Sequence, residues 1–222
     1  MGIELHYSER GSGEPLILLH GNGEDSSYFE HQVGHLAQAF RVIALDTRGH
    51  GLSPRGSAPF SLDQFATDLG NFMDARGIGS AHIFGFSDGA NIALLFTLAH
   101  PERVKSLVLN GGNLFPEGLT PKTRRGIDLE YRVAMRHGDA DTAALMRLMI
   151  DEPQIDPASL SALGMPVLVI AGTDDMILEE HTRLIAESIP GARLRFVEGD
   201  HFVAAGNPEA FNAELDAFYA GL

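Results

Sequence analysis

Gly85-Phe86-Ser87-Asp88-Gly89 is the stretch on which the reading of this chain turns. It follows a short apolar run, Ala81-His82-Ile83-Phe84, that reads as a strand. It precedes Ala90-Asn91-Ile92-Ala93-Leu94-Leu95-Phe96, which reads as a helix. A serine therefore stands at the tip of a strand-to-helix turn, with glycine two residues away on each side. Small neighbours let a strand and a helix approach closely around a strained turn. The first N–H groups of the new helix lack intrahelical acceptors and point toward the serine, where negative charge on an oxygen could be held. Gly-x-Ser-x-Gly in this context is a nucleophile elbow, although a glycine-flanked serine alone also fits an ordinary turn. Its partners must decide.

Working outward, strands and helices alternate, which predicts a mostly parallel sheet of about seven strands with helices on both faces. Upstream, Ile3-Glu4-Leu5-His6-Tyr7 alternates as an edge strand does. Leu16-Ile17-Leu18-Leu19 is a continuous apolar run, as in a central strand buried on both faces, and ends in the glycine-rich His20-Gly21-Asn22-Gly23. A helix is predicted from about Ser26 to Ala39. Arg41-Val42-Ile43-Ala44-Leu45 is a strand running into the polar loop Asp46-Thr47-Arg48-Gly49-His50-Gly51-Leu52-Ser53, whose side chains are expected to hydrogen-bond one another. Ser61-Leu62-Asp63-Gln64 is a capping box.

Downstream of the elbow, Val104-Lys105-Ser106-Leu107-Val108-Leu109 is a strand, and then the alternation breaks. From about Leu114 to Leu163 only helix signals occur, with Thr120-Pro121 and Asp156-Pro157 as helix starts. This segment, 114–163, is expected to be a small helical lid within a single domain spanning 1–222. In its first helix Ile127, Tyr131 and Ala134 share one face, and Arg125, Arg132 and Arg136 the opposite one, which reads as a solvated outer surface ahead of the alternative that the arginines recruit an anionic substrate. The chain returns through Pro166-Val167-Leu168-Val169-Ile170-Ala171 to Gly172-Thr173-Asp174-Asp175. Leu194-Arg195-Phe196-Val197 leads to Glu198-Gly199-Asp200-His201, and Asn207-Pro208-Glu209 is expected to cap the final helix.

Composition narrows the classes. The chain has 222 residues, 44% of them hydrophobic and 21% charged, as in a globular domain with a sizeable core. No run approaches the roughly 18 to 20 apolar residues that span a bilayer, and no signal-peptide pattern opens the chain. Cysteine is absent, which removes disulfides and thiolate chemistry and is compatible with a cytoplasmic protein. The net charge of −14 argues against nucleic acid and anionic membranes as partners. His31 and His35 are four apart on a predicted helix, but the pair lacks the intervening glutamate of a zinc motif.

Ligands of an open α/β sheet sit beyond the carboxyl ends of its strands. There this chain places Asn22 and Gly23, Ser87, the acids Asp174 and Asp175, and His201. A serine hydroxyl needs a base, histidine is one near neutral pH, and a carboxylate can orient the imidazole. In these pieces, nearly the whole length of the chain resembles the α/β-hydrolase fold. The resemblance implies that Ser87 is a nucleophile, His201 its general base and then acid, and Asp175, three residues after Gly172, the orienting carboxylate, with Asp174 the alternative. It also implies an oxyanion hole from the backbone N–H groups of Asn22 and Asp88. His20 and His50 are expected to be scaffold.

The function so implied is hydrolysis of a small ester, thioester or lactone through an acyl-enzyme, with no metal and no cofactor, on a small-molecule substrate. Within the fold the motifs resemble small carboxylesterases and enol-lactonases. Gly23, Phe115, Tyr131, Met176 and Phe202 are the candidate pocket walls. The alternatives are a lyase or cofactor-free haloperoxidase-like enzyme using the same residues, or a receptor-like binding member. A serine at the elbow argues against dehalogenase and epoxide hydrolase chemistry, which requires aspartate there.

Overall fold

The computed structural model describes residues 2–222. Its strands are β1 (Tyr7–Arg10), β2 (Glu14–Leu19), β3 (Phe40–Leu45), β4 (Ala81–Phe86), β5 (Val104–Asn110), β6 (Val167–Asp174) and β7 (Arg193–Asp200). They form a seven-stranded sheet in the order β1-β3-β2-β4-β5-β6-β7. Only β1 runs antiparallel to its neighbour. The helices are α1 (Glu30–Leu36), α2 (Leu62–Ala75), α3 (Asp88–Ala99), α4 (Pro121–His137), α5 (Ala140–Asp151), α6 (Glu179–Ser188), α7 (Val203–Gly206) and α8 (Pro208–Tyr219).

The period of two along each strand divides the core. Ile17, Leu19, Ile43, Ile83, Leu107 and Val169 face α2, α3 and α6. Leu16, Leu18, Val42, Phe84, Val108 and Leu168 face α1 and α8, where Phe29, Phe211 and Phe218 fill the layer. Each such fully buried side chain contributes roughly 1.5–3 kcal/mol, so the two layers together fix the strand ends that carry the site.

Four expectations shift. The first strand lies at 7–10 and not at 3–7: the His6 N–H goes to the Ser53 hydroxyl at 2.8 Å, while its carbonyl alone still accepts from the Asp46 N–H at 3.0 Å. The 26–39 helix divides into a 3-10 turn, Ser26–Phe29, and the short α1. The capping box is half formed: Ser61 accepts the Gln64 N–H at 3.1 Å, but the Gln64 amide turns to Asp68. At the last helix Asn207 makes no side-chain cap and instead donates to the Glu198 carbonyl.

The 46–53 loop is held by its own polar groups. Asp46 accepts N–H bonds from Ser26 and Leu52, and Ser53 donates to the Asp46 carbonyl. Arg48 forms a bidentate pair with Asp68 of α2, both bonds 2.7 Å, with side chains only 2% and 4% exposed. Removing one partner of such a pair leaves an uncompensated buried charge. Arg48→Ala is therefore expected to cost about 3–5 kcal/mol in urea unfolding, whereas Arg48→Met with Asp68→Leu recovers most of it.

Between β5 and β6 the chain is helical. Leu119, Ile127, Met146 and Ile177 make a small core of their own where this segment meets the loop after β6. Arg125, Arg132 and Arg136 are exposed, as the helical period predicts.

Candidate active site

The elbow is built by exclusion of side chains. A Cβ on Gly85 would run into the carbonyl of Gly89, and one on Gly89 into the carbonyl of Leu19. With both absent, β4 turns directly into α3, and Ser87 adopts φ 53°, the one positive φ of a non-glycine residue among the described residues. The Ser87 N–H is tied to the Asn110 carbonyl at 2.8 Å, and its own carbonyl accepts from Ala90 at 2.9 Å. The strained conformation is thus fixed from both sides.

The structure brings Ser87, His201 and Asp175 into one hydrogen-bonded chain. Ser87 Oγ lies 3.0 Å from His201 Nε2, and His201 Nδ1 lies 2.6 Å from Asp175 Oδ1. Asp175 also accepts the N–H groups of Ile177 at 3.0 Å and Gly172 at 3.2 Å. Its side chain is 3% exposed and that of His201 6%, whereas Asp174 is exposed and holds no side-chain partner among the described residues. Gly111 makes room for the imidazole: a Cβ there would lie 2.8 Å from His201 Cε1.

Asn22 and Asp88 face each other beside Ser87. The Asn22 amide donates to Asp88 Oδ2 at 2.9 Å and to the Leu145 carbonyl of α5 at 3.2 Å. Their backbone N–H groups donate to no protein acceptor among the described residues. Burial raises the Asp88 carboxyl to about 6, against the bonds from Asn22 and Asn91 that favour its ionised form. His20 is a neutral strut. Burial, then the neighbouring His50, lowers it to about 4, and its Nε2 accepts the Thr47 N–H at 3.0 Å.

A cavity of about 810 Å³ opens over Ser87 and His201, walled by Leu119, Ile127, Met146, Met149 and Met176. Of the candidate walls, Met176 lines it. Phe115 does not: its ring packs edge-on against His181 at 4.6 Å. Tyr131 borders a separate cavity beside Phe60 and Arg147. Gly23 is exposed on the loop outside the cavity, and Phe202 packs on the rings of His201 and Phe86 from the far side. Arg125 borders another cavity, of about 450 Å³, that contains neither Ser87 nor His201. His35 pairs with Asp216 at 2.7 Å and His31 with Glu30 at 3.5 Å, and no group of three or more metal-ligating side chains converges among the described residues.

Sequence reasoning missed Ile127 as a cavity wall, although its place on the apolar face of α4 was the available signal.

A parallel sheet with an antiparallel edge, a serine on the β4–α3 turn and an acid and a histidine after β6 and β7 define an α/β-hydrolase architecture. The chain belongs to the alpha/beta hydrolase fold family, whose model matches residues 14–147. It is 30% identical to a 2-hydroxymuconate semialdehyde hydrolase of Pseudomonas putida, over 99% of this chain and 92% of that protein. It is 27% identical to a protein named as a carbamate hydrolase, RutD, of Azorhizobium caulinodans, over 97% of this chain and 94% of the relative. In fold it is similar to the enol-lactonase of Burkholderia xenovorans, with a TM-score of 0.80, 24% identity, and coverage of 98% and 97% of the two chains. The relatives named as hydrolases support a hydrolase. No helix among the described residues is long and apolar enough to cross a membrane.

Proposed function

We propose that the protein is a serine hydrolase that cleaves a small ester, thioester or lactone through an acyl-enzyme on Ser87. The observation that carries this reading is the unbroken chain Ser87 Oγ, His201, Asp175 at 3.0 and 2.6 Å. Asp175 accepts a hydrogen bond from the His201 Nδ1–H, which leaves the Nε2 lone pair for the serine hydroxyl. As Ser87 Oγ bonds to the substrate carbonyl carbon, its proton passes to Nε2, and the carbonyl electron pair moves onto oxygen. The free N–H groups of Asn22 and Asp88 are the donors for that oxyanion. The imidazolium then gives its proton to the departing alcohol or thiol. Water repeats the sequence on the acyl-enzyme, His201 taking its proton, and the acid leaves. A fluorophosphonate probe tests this: the expected adduct is on the peptide carrying Ser87, and wild-type protein that neither labels nor turns over any activated short-chain ester defeats the reading.

The cavity also favours one charge class. Lys122 is its single cation among the described residues, against Glu130, Asp174 and Asp200 at the same opening. A substrate bearing a carboxylate meets repulsion there. A p-nitrophenyl hemisuccinate is expected to show kcat/KM about tenfold below the butyrate, a gap that narrows as salt screens the opening. Equal rates at low salt count against this selectivity.

A further inference from the structure

Glu24 lies outside the triad but on the loop that carries Asn22. Its Oε2 accepts the Gly21 N–H at 3.2 Å. A Cβ built on Gly21 would lie 3.0 Å from that oxygen and 3.1 Å from Ser87 Cβ, so the carboxyl and the serine flank one point in space. The titratable groups that face Glu24 are Asp25 of its own loop, His201 after β7, and the Tyr28 hydroxyl of the 3-10 turn. Among the described residues no lysine or arginine acts on it. The Tyr28 hydroxyl is itself buried without a partner, its ring stacked on Phe86 at 4.2 Å.

We propose that Glu24 is a positioning residue for the oxyanion hole: it anchors the Gly21-Asn22 turn in either protonation state, and its ionisation sets a negative charge beside the oxyanion that slows acyl transfer. The inference rests on the acyl-enzyme reading above. A carboxyl oxygen accepts the Gly21 N–H whether the group is neutral or ionised, so titration changes the charge and keeps the anchor. The transition state gathers a negative charge on the substrate oxygen and a positive one on His201. Asp175 already sits against the imidazole at 2.6 Å, whereas the oxyanion has only N–H dipoles. An ionised Glu24 both attracts the His201 imidazolium and repels the oxyanion, and the repulsion is expected to outweigh the attraction because Asp175 already neutralises the imidazole. The charge appears in a usable range: burial, opposed by the Gly21 N–H and by His201, raises the Glu24 carboxyl to about 7.

The test is kcat and KM for p-nitrophenyl butyrate from about pH 5.5 to 9 in wild type and Glu24→Gln, where an effect of about tenfold is readily resolved. Wild-type kcat/KM is expected to decline above neutrality. The variant should match wild type near pH 6, exceed it about tenfold near pH 8.5, and differ through kcat with KM little changed. An alkaline decline that persists in Glu24→Gln overturns the proposal, as does a variant lowered by one factor at every pH. Carboxyl ¹³C resonances of glutamate-labelled wild type give an independent readout that needs no variant. A Glu24 midpoint near neutrality supports the proposal, and one in the ordinary glutamate range overturns it. Ser87 labelling separates the two levels. A labelled Ser87 with a flat alkaline profile sinks only the role of Glu24, and an unlabelled Ser87 sinks the acyl-enzyme reading and this inference with it.

Discussion

Ser87→Ala is expected to lower kcat for an activated ester by roughly 10⁶, while KM moves little. The size follows from what the substitution removes. Without Oγ there is no attacking atom, and His201 Nε2, 3.0 Å away in the native chain, has no proton to take. What is expected to survive is substrate binding and the proposed oxyanion donors at Asn22 and Asp88, worth roughly 10³–10⁴ over water in a site of this kind. The fold should not suffer, since the Ser87 backbone bonds to Asn110 and Ala90 are untouched. Ser87→Gly carries the argument further. A serine at φ 53° is strained, and glycine is not. Relief of that strain outweighs the extra freedom of glycine in the unfolded chain by about 1 kcal/mol. The inactive glycine variant should therefore melt about 2–4 °C above wild type. Residual esterase activity within tenfold of wild type in either variant, or a lower Tm for Ser87→Gly, contradicts the account of the elbow.

How far the sequence leads depends on whether the physical cause is local. The elbow is legible because its requirement is local: a serine, two missing side chains, and a strand and helix on either side. The central strands are legible because burial on both faces demands continuous apolar runs, as in Leu16 to Leu19. The first strand is misplaced because its boundary depends on a bond from His6 to Ser53, forty-seven residues away. Arg48 is visible in its loop, but its partner Asp68 sits on the next helix with nothing to mark it. Cavity walls are the hardest. Met176 is found because it follows the acid directly, whereas Phe115 and Tyr131 turn elsewhere once the helices between β5 and β6 pack. Glu24 becomes notable only when folding sets it beside Ser87.

Asp175→Asn is expected to lower kcat by about 10⁴, and Asp174→Asn by no more than about twofold. Two adjacent acids make this a direct test of which carboxylate does the work. Asp175 Oδ1 holds the His201 Nδ1 proton at 2.6 Å while also accepting the Ile177 N–H, and Oδ2 accepts from Gly172. One of these two backbone bonds survives when the side chain becomes an amide, since an NH₂ group accepts no N–H. An asparagine in that position keeps its carbonyl on one backbone N–H and turns its NH₂ toward the imidazole. His201 then carries its proton on Nε2, facing Ser87, and has no lone pair there to accept the serine proton. The loss should appear in kcat with KM nearly unchanged, because the Asp175 side chain is 3% exposed and acts through the imidazole it holds. Asp174 is exposed and holds no comparable bond, so its replacement changes only the charge at the cavity opening. A crippled Asp174→Asn beside an active Asp175→Asn would reverse the assignment and require the loop after β6 to rearrange when substrate binds.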